Sequence, residues 1–183
     1  KLFYEQGYED TTVEDIVFES ETSKGSFYHY FEGKDALLGT LAYVFDEKYE
    51  ELSETLSDDM NCFEKLVFLN QELFKMIENS VSIDLLAGLL SSQLTTKSEK
   101  HLLDRSRTYY KLLRITIKKG QETGELRDDV TTGEIVKAYA LCERAVLYDW
   151  CICNGEYALR EYSKRMMPIF MSGMLIFGLQ QGI

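Results

Sequence analysis

The sequence predicts an all-α protein: a small N-terminal helix-turn-helix domain, residues 1–45, and a larger helical domain, residues 46–183. Apolar residues recur every three or four positions along most of the chain, strand-type alternation is scarce, and there is a single Pro in 183 residues. At 45% hydrophobic, the chain carries enough apolar surface for a substantial core.

The chain opens at Lys1-Leu2-Phe3, which reads as the last turns of a first helix, so part of the native N-terminus is expected to precede it. Thr11 or Thr12 starts the next helix, where a hydroxyl can cap free N–H groups and Glu14 and Asp15 suit the helix dipole. Its apolar face is Val13, Ile16 and Val17. The run Ser20-Glu21-Thr22-Ser23 competes with helical hydrogen bonding, so that helix ends there and another begins at Thr22 or Ser23. On it Phe27 and Phe31 are four apart and face inward, while Lys24, Gly25, Tyr28 and His29 fall on the opposite side. Two short helices around a tight turn, with small and polar residues outward, suit a reader of the DNA groove.

The pattern G-Y-x-x-T-T-V-x-D-I followed by S-K-G-S-F-Y-H-Y-F-x-x-K resembles the N-terminal signature of the TetR family of bacterial transcriptional regulators, from Leu2 to about Leu38. Beyond Leu38 the resemblance is architectural. It implies a ligand-responsive, sequence-specific DNA-binding regulator, a repressor that a small molecule releases from operator DNA. On this reading Lys24 and the N–H groups near Ser23 meet phosphate, Gly25 allows close approach, and Ser26, Tyr28 and His29 reach base edges or backbone. Thr11, Thr12 and Lys34 anchor the flanking backbone, and Tyr30 is either a contact or core. The family usually has Ala-Gly-Val where this chain has Ser20-Glu21-Thr22. The glycine commonly serves a positive φ, so Glu21 is expected either in mild strain or in a slightly different turn.

Charge argues against DNA. The net charge is −11, and the first 45 residues hold three Lys against nine Asp and Glu. The acids can lie away from the duplex, leaving backbone N–H groups, hydroxyls, Lys24 and Lys34 for phosphate. The alternative is a helical small-molecule or redox sensor without specific DNA binding.

After Gly33, apolar positions from Leu37 to Leu52 predict one long helix from Lys34 to about Leu56, joining the two domains. Ser57-Asp58-Asp59 ends it. Further helices are expected over 63–77, 82–93 and 98–122. The segment from Glu134 to Ile152 is apolar nearly all round, as expected for a helix covered by its own domain on one side and a second subunit on the other. Asn154-Gly155 turns the chain into a last helix, which Pro168 should kink near Lys164. A homodimer interface is therefore expected at Val146, Tyr162, Met166, Ile169, Phe170, Gly173, Met174 and Phe177.

The effector is expected to be largely apolar, with Phe74, Tyr109, Tyr110, Glu143 and Trp150 as candidate contacts. No catalytic motif, phosphate loop or metal-ligand spacing stands out, so neither enzyme activity nor a cofactor is expected. Cys62, Cys142, Cys151 and Cys153 read as reduced thiols, with Cys151 and Cys153 the pair open to redox sensing. No membrane span or signal peptide is recognisable, and a cytoplasmic protein is expected.

Overall fold

The computed structural model describes residues 2–95 and 100–175. The expected helix start at Ser98 and the interface residue Phe177 lie outside them. The described residues form α1 (Leu2–Glu5), α2 (Val13–Glu19), α3 (Lys24–Tyr30), α4 (Lys34–Leu38), α5 (Thr40–Thr55), α6 (Cys62–Ser80), α7 (Ile83–Thr95), α8 (Thr108–Glu122), α9 (Thr132–Ile152) and α10 (Leu159–Met171). Short 3-10 turns cover His101–Leu103 and Ser172–Met174.

Local chemistry sets the helix starts. Thr12, Asn61 and Thr131 each form a capping box with the acid three residues on, Asp15, Glu64 and Glu134, satisfying two orphan N–H groups at each helix start. α2 stops because Glu21 is left-handed, at φ 52°, and the Thr22 N–H bonds back to the Val17 carbonyl at 2.9 Å. That is the geometry in which glycine is usual. Asn154 and Gly155, at φ 49° and 71°, make the expected turn before α10.

The single long helix expected from Lys34 to Leu56 is broken at Gly39 into α4 and α5. Glycine weakens a helix interior, and here the His101 ring occupies the space of a side chain: a Cβ on Gly39 would come within 2.4 Å of it. The helix expected from Ser98 begins ten residues later, at Thr108. Before it, the Asp104 carboxylate accepts from the Ser106 N–H at 2.8 Å and hydroxyl at 2.9 Å, holding a turn instead.

α10 packs on α6 and α9, and α8 packs on α9, α5 and α6. α7 lies against α4 and α9, so it touches both the N-terminal helices and the large domain. The core runs through Leu66, Leu69, Phe74, Ile77, Leu89 and Leu113, all fully buried.

Candidate DNA-reading surface and effector cavity

α2 and α3 pack through Phe27, 6% exposed, which stacks on the half-buried Phe31 at 5.4 Å between centroids. This anchors α3 with its other face outward: Ser23, Lys24, Gly25, Ser26, Tyr28, His29 and Tyr30 are all exposed. Ser23 caps the helix, its Oγ accepting from the Ser26 N–H at 3.0 Å. A Cβ on Gly25 would meet only Ser23 Oγ, at 3.8 Å, so another backbone could come close there. Lys24 pairs with Glu14 across the two helices, and its hydrogen bond holds the Glu14 carboxyl below its ordinary value.

Two of the expected DNA anchors are spent inside the chain. Thr11 is fully buried, its hydroxyl donating to the Gly7 carbonyl at 2.6 Å. Lys34 donates to the carbonyls of Tyr8 at 2.8 Å and Glu9 at 3.0 Å, and lies 4.5 Å from the Tyr8 ring centroid. It fastens α4 to the turn after α1 and so positions the reader. Thr12 is exposed, but its hydroxyl is engaged in the capping box, donating to Asp15 at 2.6 Å.

In the large domain a cavity of about 50 Å3 lies between α5, α6, α7, α8 and α9. Leu73, Leu86, Leu89 and Leu147 make its wall apolar, and Glu143 and Tyr49 add polar atoms. Glu143 is buried and accepts from Tyr109 Oη at 2.6 Å and Asn70 Nδ2 at 3.0 Å. Burial pushes its carboxyl above the ordinary value, and these bonds partly offset the rise. Asn70 Oδ1 in turn accepts from Ser163 Oγ at 2.9 Å, linking α10, α6, α9 and α8 in one buried network. The Tyr49 hydroxyl is buried without a hydrogen-bond partner among the described residues, an arrangement costing about 1–3 kcal/mol.

Beside the cavity Arg107 grips Asp46 of α5 with two hydrogen bonds, of 3.0 and 3.1 Å, and donates to the Ala42 carbonyl at 2.9 Å. Asp46 also accepts from the Tyr109 N–H at 3.1 Å, capping α8 from another helix. α5 is thereby tied to the ligand domain next to Tyr49.

Of the expected ligand contacts, Tyr109 and Glu143 line the cavity. Phe74 is core, and Trp150 is buried with its indole N–H donating to the Tyr157 carbonyl at 2.9 Å. Tyr110 lines a neighbouring cleft, its hydroxyl donating to the Leu102 carbonyl at 3.0 Å. Of the expected interface residues, Val146 and Met174 are buried in their own chain, at 3% and 6% exposure, and present nothing to a partner. Ile169 and Phe170 are exposed, Tyr162 and Met166 half-buried, and Gly173 exposed. α9 buries one face in its own domain and exposes a second apolar stripe, Leu141, Ala145, Tyr148 and Ile152, at helical spacing.

The model of bacterial regulatory proteins of the tetR family matches residues 1–41. The HTH-type transcriptional repressor DhaR of Mycobacterium sp. (strain GP1) is 31% identical over 135 residues, covering 71% of this chain and 67% of that protein. The chain belongs to the TetR family. It is a DNA-binding transcriptional regulator. Thermus thermophilus FadR, a TetR-family repressor solved with lauroyl-CoA, has the same fold at TM-score 0.78 and 21% identity, over 96% of this chain and 90% of that one. Bacillus subtilis FadR, solved with stearoyl-CoA, matches at TM-score 0.68 and 17% identity, over 94% of each chain.

As a TetR-family reader, this chain keeps the φ > 0 turn with Glu21 in place of glycine, and Thr22 finds its hydroxyl partner in Ser20 at 3.0 Å. Sequence reading missed Tyr49, Asp46 and Arg107. Tyr49 read as one more apolar step of α5, and no local pattern marks an Asp and an Arg 61 residues apart as partners. An acid among the inward positions Ala42, Phe45 and Tyr49 was the signal that could have found Asp46.

Proposed function

We propose that this TetR-family regulator is a repressor whose operator affinity falls when a small, largely apolar molecule occupies the cavity beside Glu143 and Tyr49. The observation that carries the reading is that α5 lies between the two functions. It begins just after Gly39, next to the reader, and lends Phe45 and Tyr49 to the cavity wall. The segment after α7 touches both ends: His101 packs on Gly39, while Leu102 lines the cavity. An occupant that displaces Leu102 or Tyr49 therefore bears on the α4–α5 break. α3 supplies the DNA contacts through Ser23, Lys24, Gly25, Ser26, Tyr28, His29 and Tyr30, with Thr12 beside them. Two copies meet through the exposed stripe of α9 and through Ile169 and Phe170, placing two readers on successive major grooves, roughly 34–36 Å apart. The acyl-CoA complexes of the two FadR proteins support a long-chain effector.

The experiment is operator selection from a random duplex library with the intact chain, followed by binding of the selected site. Tyr28→Ala should weaken binding by about 1–3 kcal/mol with helical content unchanged. Lys24→Ala should lower the salt slope by about one. Parent-like binding by both variants overturns the assigned face. For the dimer, Tyr148→Glu with Ile152→Glu should give monomers by sedimentation, and an unaltered dimer would rule the stripe out.

A further inference from the structure

A second concavity of about 270 Å3 opens beside the cavity and shares Ala140 and Arg144 with it. Three segments line it: the turn before α8 brings Arg105, α8 brings Tyr110 and Arg114, and α9 brings Lys137 and Arg144. No carboxylate lines it among the described residues, although the chain carries 31 acids against 20 Lys and Arg. None of the four cations is ion-paired among the described residues, whereas Lys24, Lys48, Lys75, Arg107, Lys118, Arg127 and Arg160 all are. Arg144 has only a long 3.5 Å bond to the Tyr110 hydroxyl. In so acidic a protein, four cations converging on one cleft repel one another, and the buried Glu143, which offsets part of the charge on Arg144, does not neutralise all four. A polyanion does.

The geometry points to this cleft as the seat of a phosphate-bearing head group, on an effector whose apolar chain enters the adjoining cavity. The inference rests on the cavity reading above and adds the chemistry of the other half of the ligand. Arg105 and Arg114 present planar donor forks to phosphate oxygens, and Lys137 adds a point charge. Arg144, lining both spaces, sits where head meets chain. The apolar wall of Leu73, Leu86, Leu89 and Leu147 takes the chain. A free fatty acid carries one negative charge and would leave most of the cleft's charge uncompensated.

Calorimetry on the intact chain tests this with three probes: lauroyl-CoA, farnesyl diphosphate and dodecanoate. A phosphate-bearing probe should bind more tightly than dodecanoate and weaken as salt rises. Farnesyl diphosphate distinguishes a bare diphosphate head from the nucleotide-bearing head of lauroyl-CoA, and tight binding of either supports the cleft. The double variant Arg114→Ala with Lys137→Ala should weaken the phosphate-bearing probe by about tenfold or more and leave dodecanoate unchanged. Leu89→Trp, which fills the cavity, should weaken all three. Equal binding of phosphate-bearing probes by parent and double variant overturns the cleft assignment while the cavity reading stands. So does a parent that binds neither phosphate-bearing probe, or binds dodecanoate as tightly. Unaltered binding by Leu89→Trp strikes instead at the cavity reading.

Discussion

Among the described residues before Gly39 only Tyr8, Thr11, Phe27 and Leu38 are buried, on helices of four to seven residues, while the domain after it packs helices of 13 to 21 residues around a continuous core. Helices that short do not hold themselves. The reader depends mainly on caps and a Schellman-type turn, contacts a few residues apart, with the Lys34 tether to carbonyls 25 and 26 residues away as a longer link. The effector domain depends on side chains that meet across long separations: Arg107 with Asp46, and Asn70 with Glu143, 73 residues apart. The comparison teaches that the two halves fail differently. A change in the reader alters how well a surface is presented, and a change in the buried network alters whether the domain stands.

The largest expected effect is in that network. Asp46→Ala leaves the Arg107 guanidinium buried without its partner and α8 without its cap, and should cost about 3–5 kcal/mol in urea denaturation. A loss under about 1 kcal/mol would mean that α5 is not held to the ligand domain through this pair, and the contrast between the halves would break. A smaller effect, of opposite sign, is expected in the reader. Glu21→Gly relieves a left-handed residue and should stabilise by about 1 kcal/mol, seen as a higher Tm. If stability is unchanged or lower, the turn carries no strain. The smallest effect is functional. Glu14→Gln frees Lys24 from its partner and removes a negative charge near phosphate, so operator affinity should rise roughly two- to fivefold at low salt, and the gain should fade as salt is raised. Unchanged affinity at low salt would place Lys24 off the duplex.

The same contrast governs what could be read in advance. The helix-turn-helix, the caps at Thr12 and Ser23, the inward Phe27 and the outward Tyr28 were legible because each rests on neighbours within four residues. The family's usual glycine at Glu21 left two readings, strain or a different turn, and the structure shows the positive φ. Thr11 and Lys34 were misassigned because their partners, the carbonyls of Gly7, Tyr8 and Glu9, are backbone atoms that no side-chain pattern advertises. Val146 was misassigned because an apolar helix reads alike on its inner and outer faces, and only packing decided that Tyr148 and Ile152 look outward while Val146 looks in.

By itself the sequence determined the all-helical class, the reader and the family, since helical period, capping chemistry and turn chemistry are short-range properties of the chain. Only the tertiary structure decided where the long helix breaks into α4 and α5 and, among the described residues, that Tyr49 stands unpartnered beside Glu143 and that Arg105, Arg114, Lys137 and Arg144 share one cleft without a carboxylate. Those facts depend on which surfaces the packed helices bring together. A buried group's environment is set by distant residues, whose identity no local pattern encodes.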